Sequence, residues 1–297
     1  MKTISKYQVN KAGEYIKKNC RPLDSARFDY LFADGKPETI IKELRKFQNS
    51  DGGFGHGLES DFLLPDSSPM ATTIAFQFLN EIPEPDEEVI KKAVKYLERI
   101  FVIDRPGWFT VSKQVNNYPH AVWWNWDINK KQTVIDDSWG NPTAEITGYL
   151  NKYNKFVTVI DLNALTEHAI TYWEGKQEFP SEHEVYCFIR LYNHLPVDKA
   201  KRLNIKLSEA AEKLVCLDSR KWNTYVPQPL QFEKFVISGV EENLDYLVDT
   251  IGENYVWSPN WTWHQYENVW LNQKVKWEGV ITFHNLKVLK KYNRIIE

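Results

Sequence analysis

The sequence predicts an all-α fold, an (α/α)6 toroid of about six helical hairpins with an inner and an outer ring of helices, in a single domain over residues 1–297. Three observations lead there. Apolar residues recur with the 3.6-residue period of a helix in segment after segment, and no stretch alternates for long enough to build a sheet. The turns between segments are rich in Gly, Pro and aromatic residues, which stop helices and reverse the chain. The hairpin starts expected at Pro37, Asp86, Pro142, Ser181 and Val240 lie 39 to 59 residues apart, an irregular helical repeat. Helix pairs that cannot bury their apolar faces alone must stack, and about six of them can close a ring.

In chain order, Ser5 to Asn19 reads as a helix that breaks at Pro22, and Leu23 to Phe32 as a second that ends before Gly35. Pro37 opens a third, in which Ile40, Ile41, Leu44 and Phe47 keep the period into Gln48. A helix with Pro69 near its start turns Ile74, Ala75, Phe78 and Leu79 to one side and ends at Pro83 and Pro85. The clearest helix follows, with Asp86 as N-cap and Val89, Ile90, Ala93, Val94, Leu97, Ile100 and Phe101 as its apolar face. It ends at Arg105 to Phe109, where Gly107-Trp108 repeats the Gly53-Phe54 pair of an earlier turn. Ser112 to Gly140 has no convincing period, and so long an excursion inside a domain is functional or mobile. Asn141 is the expected cap of the next helix, with Pro142 in its first turn, Ile146, Tyr149, Leu150 and Tyr153 inward, and Leu162 to Trp173 as its partner. Ser181 and Glu184 form a capping box before Val185, Phe188, Ile189, Tyr192 and Leu195, and Leu207 to Leu217 is the partner there. Residues 218 to 238 are irregular, and Val240 to Ile251 and Gly279 to Tyr292 complete a set of about twelve helices.

Composition narrows the function. The chain is 42% hydrophobic and 26% charged, which is globular rather than disordered. A net charge of -3 from interspersed acids and bases argues for neither nucleic acid nor an anionic membrane surface as partner. Cys20, Cys187 and Cys216 are odd in number and far apart, so they form neither a disulfide framework nor a metal knuckle. No apolar run reaches the ~20 residues of a membrane span, and the charged first residues carry no signal-peptide core, so the cytoplasm is the expected compartment. The aromatic content, 14% with 12 Trp, points to wide helix seams or to an aromatic-lined cavity.

The most distinctive stretch is Gln48 to Asp61, QNSDGGFGHGLESD. Its glycines permit φ > 0 and close backbone approach, so the chain doubles back between two helices with Phe54 as the apolar plug. Helix, then Gln48-x-x-Asp51-Gly52-Gly53-Phe54-Gly55, then helix is similar to the repeat turn of the terpenoid cyclase and protein prenyltransferase toroids, where a Gln and an aromatic ring clip successive helices together. Residues 1–80, including RPLD at Arg21 to Asp24 and HGLESD at His56 to Asp61, resemble a bacterial family described loosely as prenyltransferase-like. The resemblance implies the toroid more firmly than an activity, because this fold hosts unrelated functions. The activity motifs are absent. Asp136 and Asp137 follow Val134 and Ile135 where protonating cyclases carry D-x-D-D, and they continue to Gly140 where ionising cyclases carry D-D-x-x-D. Cys216-Leu217-Asp218 reverses the order of the zinc ligands of protein prenyltransferases, His264 lies in no matching context, and Phe54 stands where cyclases usually have Trp.

Four groups could carry chemistry. Asp51, His56, Glu59 and Asp61 share the glycine turn, and two carboxylates two residues apart can leave one protonated as an acid. Tyr118, His120, Trp123, Trp124 and Trp126, in NYPHAVWWNW, offer faces for a cation or a sugar ring, or else a structural clasp. Asn141 and Glu145 fall on one helix face, with Glu145 a catalytic candidate beside a capping Asn141. Trp263, His264, Glu267 and Trp270 gather near the end, and Trp263, Glu267 and Trp270 share a face if that stretch is helical. The same residues also read as caps, core packing and solvated charges. No metal-ligand set stands out and no cofactor is indicated. Three functions stay open: an isoprenoid-handling protein with an aromatic cavity, a carbohydrate-active (α/α)6 enzyme using paired carboxylates, and a non-catalytic binding or scaffold toroid.

Overall fold

Ser and Asp caps start many of the helices where the sequence places them. Ser5 accepts from the Gln8 N–H, and Gln8 returns the bond to Ser5, at the head of α1 (Lys6–Asn19). Ser68 caps α4 (Pro69–Leu79), Asp86 caps α5 (Glu87–Arg99), Asp161 caps α7 (Leu162–Gly175) and Ser181 caps α8 (Glu182–Tyr192). Each such bond contributes about 1 kcal/mol by satisfying an orphan N–H. α2 (Pro22–Phe32) and α3 (Pro37–Leu44) open instead on proline, whose missing donor costs nothing there. α6 (Gly140–Lys152), α9 (Val197–Leu214), α10 (Val240–Asp249) and α11 (Glu267–Lys291) complete eleven helices in a computed structural model that describes residues 1–297. Helices account for 59% of the chain, and the regular strands are two-residue pieces, β1 (Ile4–Ser5) and β2 (Ile295–Ile296), paired in parallel. No helix is long and apolar enough to cross a membrane.

Five local expectations are corrected. Asn141 has the extended backbone of a cap, φ -103° and ψ 110°, yet its side chain turns to the Cys187 thiol. Ser181 forms only half of a capping box, accepting from the Glu184 N–H, because the Glu184 side chain instead accepts from the Gly140 N–H and the Tyr172 hydroxyl and pairs with Lys176. α9 starts ten residues before Leu207, its first turns burying Ala200 and Leu203 among exposed charges. α11 runs unbroken through Gly279, where a Cβ would stand 2.8 Å from the Cys20 sulfur, so the glycine permits close approach rather than starting a helix. Trp263 precedes α11 and therefore shares no helical face with Glu267 and Trp270.

The chain packs as two compact units, Met1–Lys46 with Val215–Glu297, and Phe47–Leu214. In the first, α1, α2 and α11 pack on one another and α3 on α2, around Phe28, Leu244, Trp257, Phe283 and Leu286. The buried Arg294 fastens the chain ends there, donating to the Lys2 carbonyl at 2.7 Å and to Asp245 at 2.6 Å. The second unit has two layers. α6 lies between α4 and α8, and hairpin partners α5, α7 and α9 pack behind their respective neighbours.

One turn recurs in both units. Gly52 bends the first copy with φ 93°, and the Phe54 N–H donates to Thr72 Oγ1 on α4 at 3.2 Å. Trp108 donates its N–H to Thr143 Oγ1 on α6 at 3.1 Å and its indole Nε1 to the Leu97 carbonyl of α5 at 2.9 Å. Trp257, which the sequence did not single out as a turn residue, does the same with Thr282 of α11 at 3.0 Å and Leu247 of α10 at 3.1 Å. An aromatic residue thus joins the end of one helix to a threonine on the next.

Candidate functional site

The glycine turn and the aromatic segment meet. Leu63 N donates to the Pro119 carbonyl and Ala121 N to the Asp61 carbonyl, both at 2.8 Å, and Trp124 meets Phe62 edge-on at 5.1 Å. Within the turn, Asp51 accepts from the Gly53 N–H at 3.0 Å and the Ser67 hydroxyl at 2.6 Å. His56, exposed and at φ 56°, faces Asn49 at 2.8 Å, and the buried Glu59 accepts from the Asp61 N–H at 3.0 Å. The Tyr118 carbonyl, 2.6 Å from His120 Nδ1, fixes a proton on that nitrogen, while Nε2 faces the Asn125 amide at 2.7 Å. Trp124 is buried, whereas Tyr118, Trp123 and Trp126 keep part of their rings in solvent, with Trp126 held by two bonds to Asn116.

The best-built polar site of this unit centres on Glu145, 3% exposed. Three helices converge on its carboxylate. Gln77 of α4 donates to Oε1 at 2.8 Å, and the Tyr149 hydroxyl, one turn along α6, donates to the same oxygen at 2.6 Å. From α8 the Cys187 thiol reaches Oε2 at 3.7 Å and Arg190 Nη1 reaches it at 3.3 Å. Asn141, in contact with the same thiol, extends the network. Burial, and then the charge of Glu145, push both the Tyr149 phenol and the Cys187 thiol well above their ordinary values, so both stay protonated. Burial pulls the Arg190 guanidinium down, but Glu145 outweighs it and holds the cation above its usual range.

Arg190 differs from the rest of this network in reaching water, with 37% of its side chain exposed. One and two turns earlier on the same face of α8 stand Tyr186 and His183, whose rings meet perpendicularly at 5.8 Å. Although 47% of the His183 side chain meets solvent, the packing around its ring pushes its pKa down, opposed by Glu182 and aided by Arg190. The chemistry offered is recognition. A fixed cation and an exposed imidazole stand on one helix face, with the Tyr186 hydroxyl buried between them, and both oxygens of the carboxylate behind Arg190 are already bonded. The spacing His183, Tyr186, Arg190 was visible in the sequence, but Gln77, Cys187 and Arg190 meet Glu145 only through tertiary packing, so no linear signal joined them.

In the other unit Trp263 is fully buried with its ring 5.9 Å from Trp270. His264, exposed at φ 57°, lies 3.4 Å from the Thr262 hydroxyl, and Glu267 is an exposed acid in the first turn of α11, where the helix dipole favours it. No group of three or more His, Cys, Asp and Glu side chains converges as a metal-ligand set. No protein-family model, curated protein or solved structure matches the chain.

Proposed function

We propose that the chain binds an acidic, polyhydroxylated small molecule, a sugar carboxylate or sugar phosphate, on the α4–α6–α8 layer, and that this layer belongs to the inner ring of an (α/α)6 toroid. The observation that carries the reading is Arg190, a permanent cation anchored from behind by a buried carboxylate and open to solvent in front. Such a guanidinium is pre-organised for a carboxylate or phosphate, since its rotamer is fixed before the ligand arrives. Its neighbour His183, 47% exposed on the same helix face, favours a polar ligand over a hydrocarbon chain, and an isoprenoid would place only its diphosphate there. Tyr118, Trp123 and Trp126, partly exposed in the same unit, are ring faces of the kind on which sugars stack. A reducing cytoplasm suits the three free thiols, Cys20, Cys187 and Cys216.

The experiment is a thermal-shift and native mass spectrometry comparison of the native protein and Arg190→Gln with galacturonate oligomers, a hexose 6-phosphate, neutral glucose oligomers and farnesyl diphosphate. Acidic sugars are expected to bind the native protein, and loss of a charged hydrogen bond should weaken them by about tenfold to a hundredfold in the variant. Equal binding by Arg190→Gln, or binding of farnesyl diphosphate alone, would refute the reading.

A further inference from the structure

Trp270, Gln273 and Trp277 fall three and four residues apart and so share one stripe of α11. The loop before the helix closes over both ends of that stripe, where Trp263 meets Trp270 at 5.9 Å and Trp261 meets Trp277 at 5.1 Å. Gln273 is left between the two pairs, only 3% exposed. Its amide Oε1 is buried without a hydrogen-bond partner in the chain, and so is the indole Nε1 of Trp261. One orphan acceptor and one orphan donor therefore border a single aromatic cluster. Each costs stability until something bonds it, and a methionine would fill the space at Gln273 without that cost.

The loop is fastened on both sides of these rings. The Ser258 hydroxyl donates to Glu278 of α11 at 2.7 Å, and Asn260 Nδ2 donates to the Thr224 carbonyl at 2.7 Å. Tyr225, next to Thr224, stands edge-on to Trp261 at 5.9 Å and is 56% exposed, so with the half-buried Trp261 and Trp277 it forms the solvent side of the cluster. All six side chains are neutral, which favours an uncharged ligand. The ring planes cross at 42° in the Trp263–Trp270 pair and at 78° in the Trp261–Trp277 pair, so neither pair offers the parallel faces that a flat base would need. A sugar ring suits such a site better: its C–H face lies on an aromatic ring, while its hydroxyls both donate and accept. We propose that the cluster binds a neutral sugar unit, with Gln273 Oε1 accepting from one hydroxyl and Trp261 Nε1 donating to another. This site does not rest on Arg190 or on the acidic ligand proposed for the α4–α6–α8 layer.

The test uses the full chain, with calorimetry and thermal melting in maltohexaose, cellohexaose and xylohexaose, on the native protein, Gln273→Met, Trp261→Phe and Arg190→Gln. At least one of these neutral sugars should bind the native protein and Arg190→Gln alike. It should bind Gln273→Met and Trp261→Phe about threefold to tenfold more weakly, since each variant loses one neutral hydrogen bond. Without sugar, Gln273→Met should melt at or above the native temperature, because it removes an unbonded buried amide, so lost binding would not reflect misfolding. A lower melting temperature for Gln273→Met would show that the amide is already bonded in the free protein and would overturn the proposal. Unchanged binding by either Gln273→Met or Trp261→Phe, binding lost in Arg190→Gln, or no binding of any of the three sugars to the native protein would overturn it as well.

Discussion

Asp24 and Glu145 are both buried carboxylates held by arginine, yet they are built in opposite ways. Asp24 draws both guanidinium partners from the chain around it, Arg21 and Arg27 at three residues on either side, and all three side chains are sequestered from water. Glu145 draws Gln77, Cys187 and Arg190 from two other helices, and its arginine reaches solvent. The local cluster joins two guanidinium groups to one fully buried carboxylate with nowhere to hydrate, so removing that carboxylate disturbs both. The tertiary hub is a balanced pair with one member at the surface, so it can be weakened without stranding a charge.

That contrast sets the order of expected effects. Asp24→Asn removes the fully buried carboxylate that two buried guanidinium groups share and should cost about 3–5 kcal/mol in urea denaturation. Glu145→Gln keeps the shape of the hub and lets Arg190 hydrate, so the loss should be about 1–3 kcal/mol. Finding Glu145→Gln the more damaging of the two would reverse the comparison and make the hub the main anchor of its unit.

The aromatic turns provide a finer comparison between the units. Thr143→Val and Thr282→Val each remove one hydroxyl partner, of the Trp108 and Trp257 N–H respectively, and should each cost about 1 kcal/mol. Similar losses at the two sites would support equivalent turns in both units, and a loss at only one would break the equivalence.

The smallest effect concerns pH. Asp245 is held down at about 2, first by the Lys2 N–H and then by Arg294, with burial opposing. Its folded pKa lies below the ordinary 3.8, so its contribution is complete above about pH 3.8 and lost as pH falls through about 2. Asp245→Asn should flatten stability in that window and leave the behaviour at pH 6–8 unchanged in slope, as read from urea midpoints across pH.

Several elements were legible because their causes are local. Asp86 and Ser181 cap the helices they precede because a side-chain oxygen two or three residues from an orphan N–H needs nothing from elsewhere. The Gly107-Trp108 turn was legible as a copy of Gly53-Phe54, since both require the same glycine-aromatic chemistry. Gly279 and Glu184 misled, because the reason for each lies on another element: the Cys20 sulfur for the glycine, and the Gly140 N–H, Tyr172 and Lys176 for the glutamate.

The helical class, most helix starts, the recurring turn and the shared helix face of Asn141 and Glu145 follow from local pattern. That Glu145 is a hub for three helices, with Arg190 in front of it, follows only from packing. The difference is one of range. Capping and amphipathic periodicity act over three or four residues, whereas a site depends on charges brought together by the burial of apolar faces far apart in the chain.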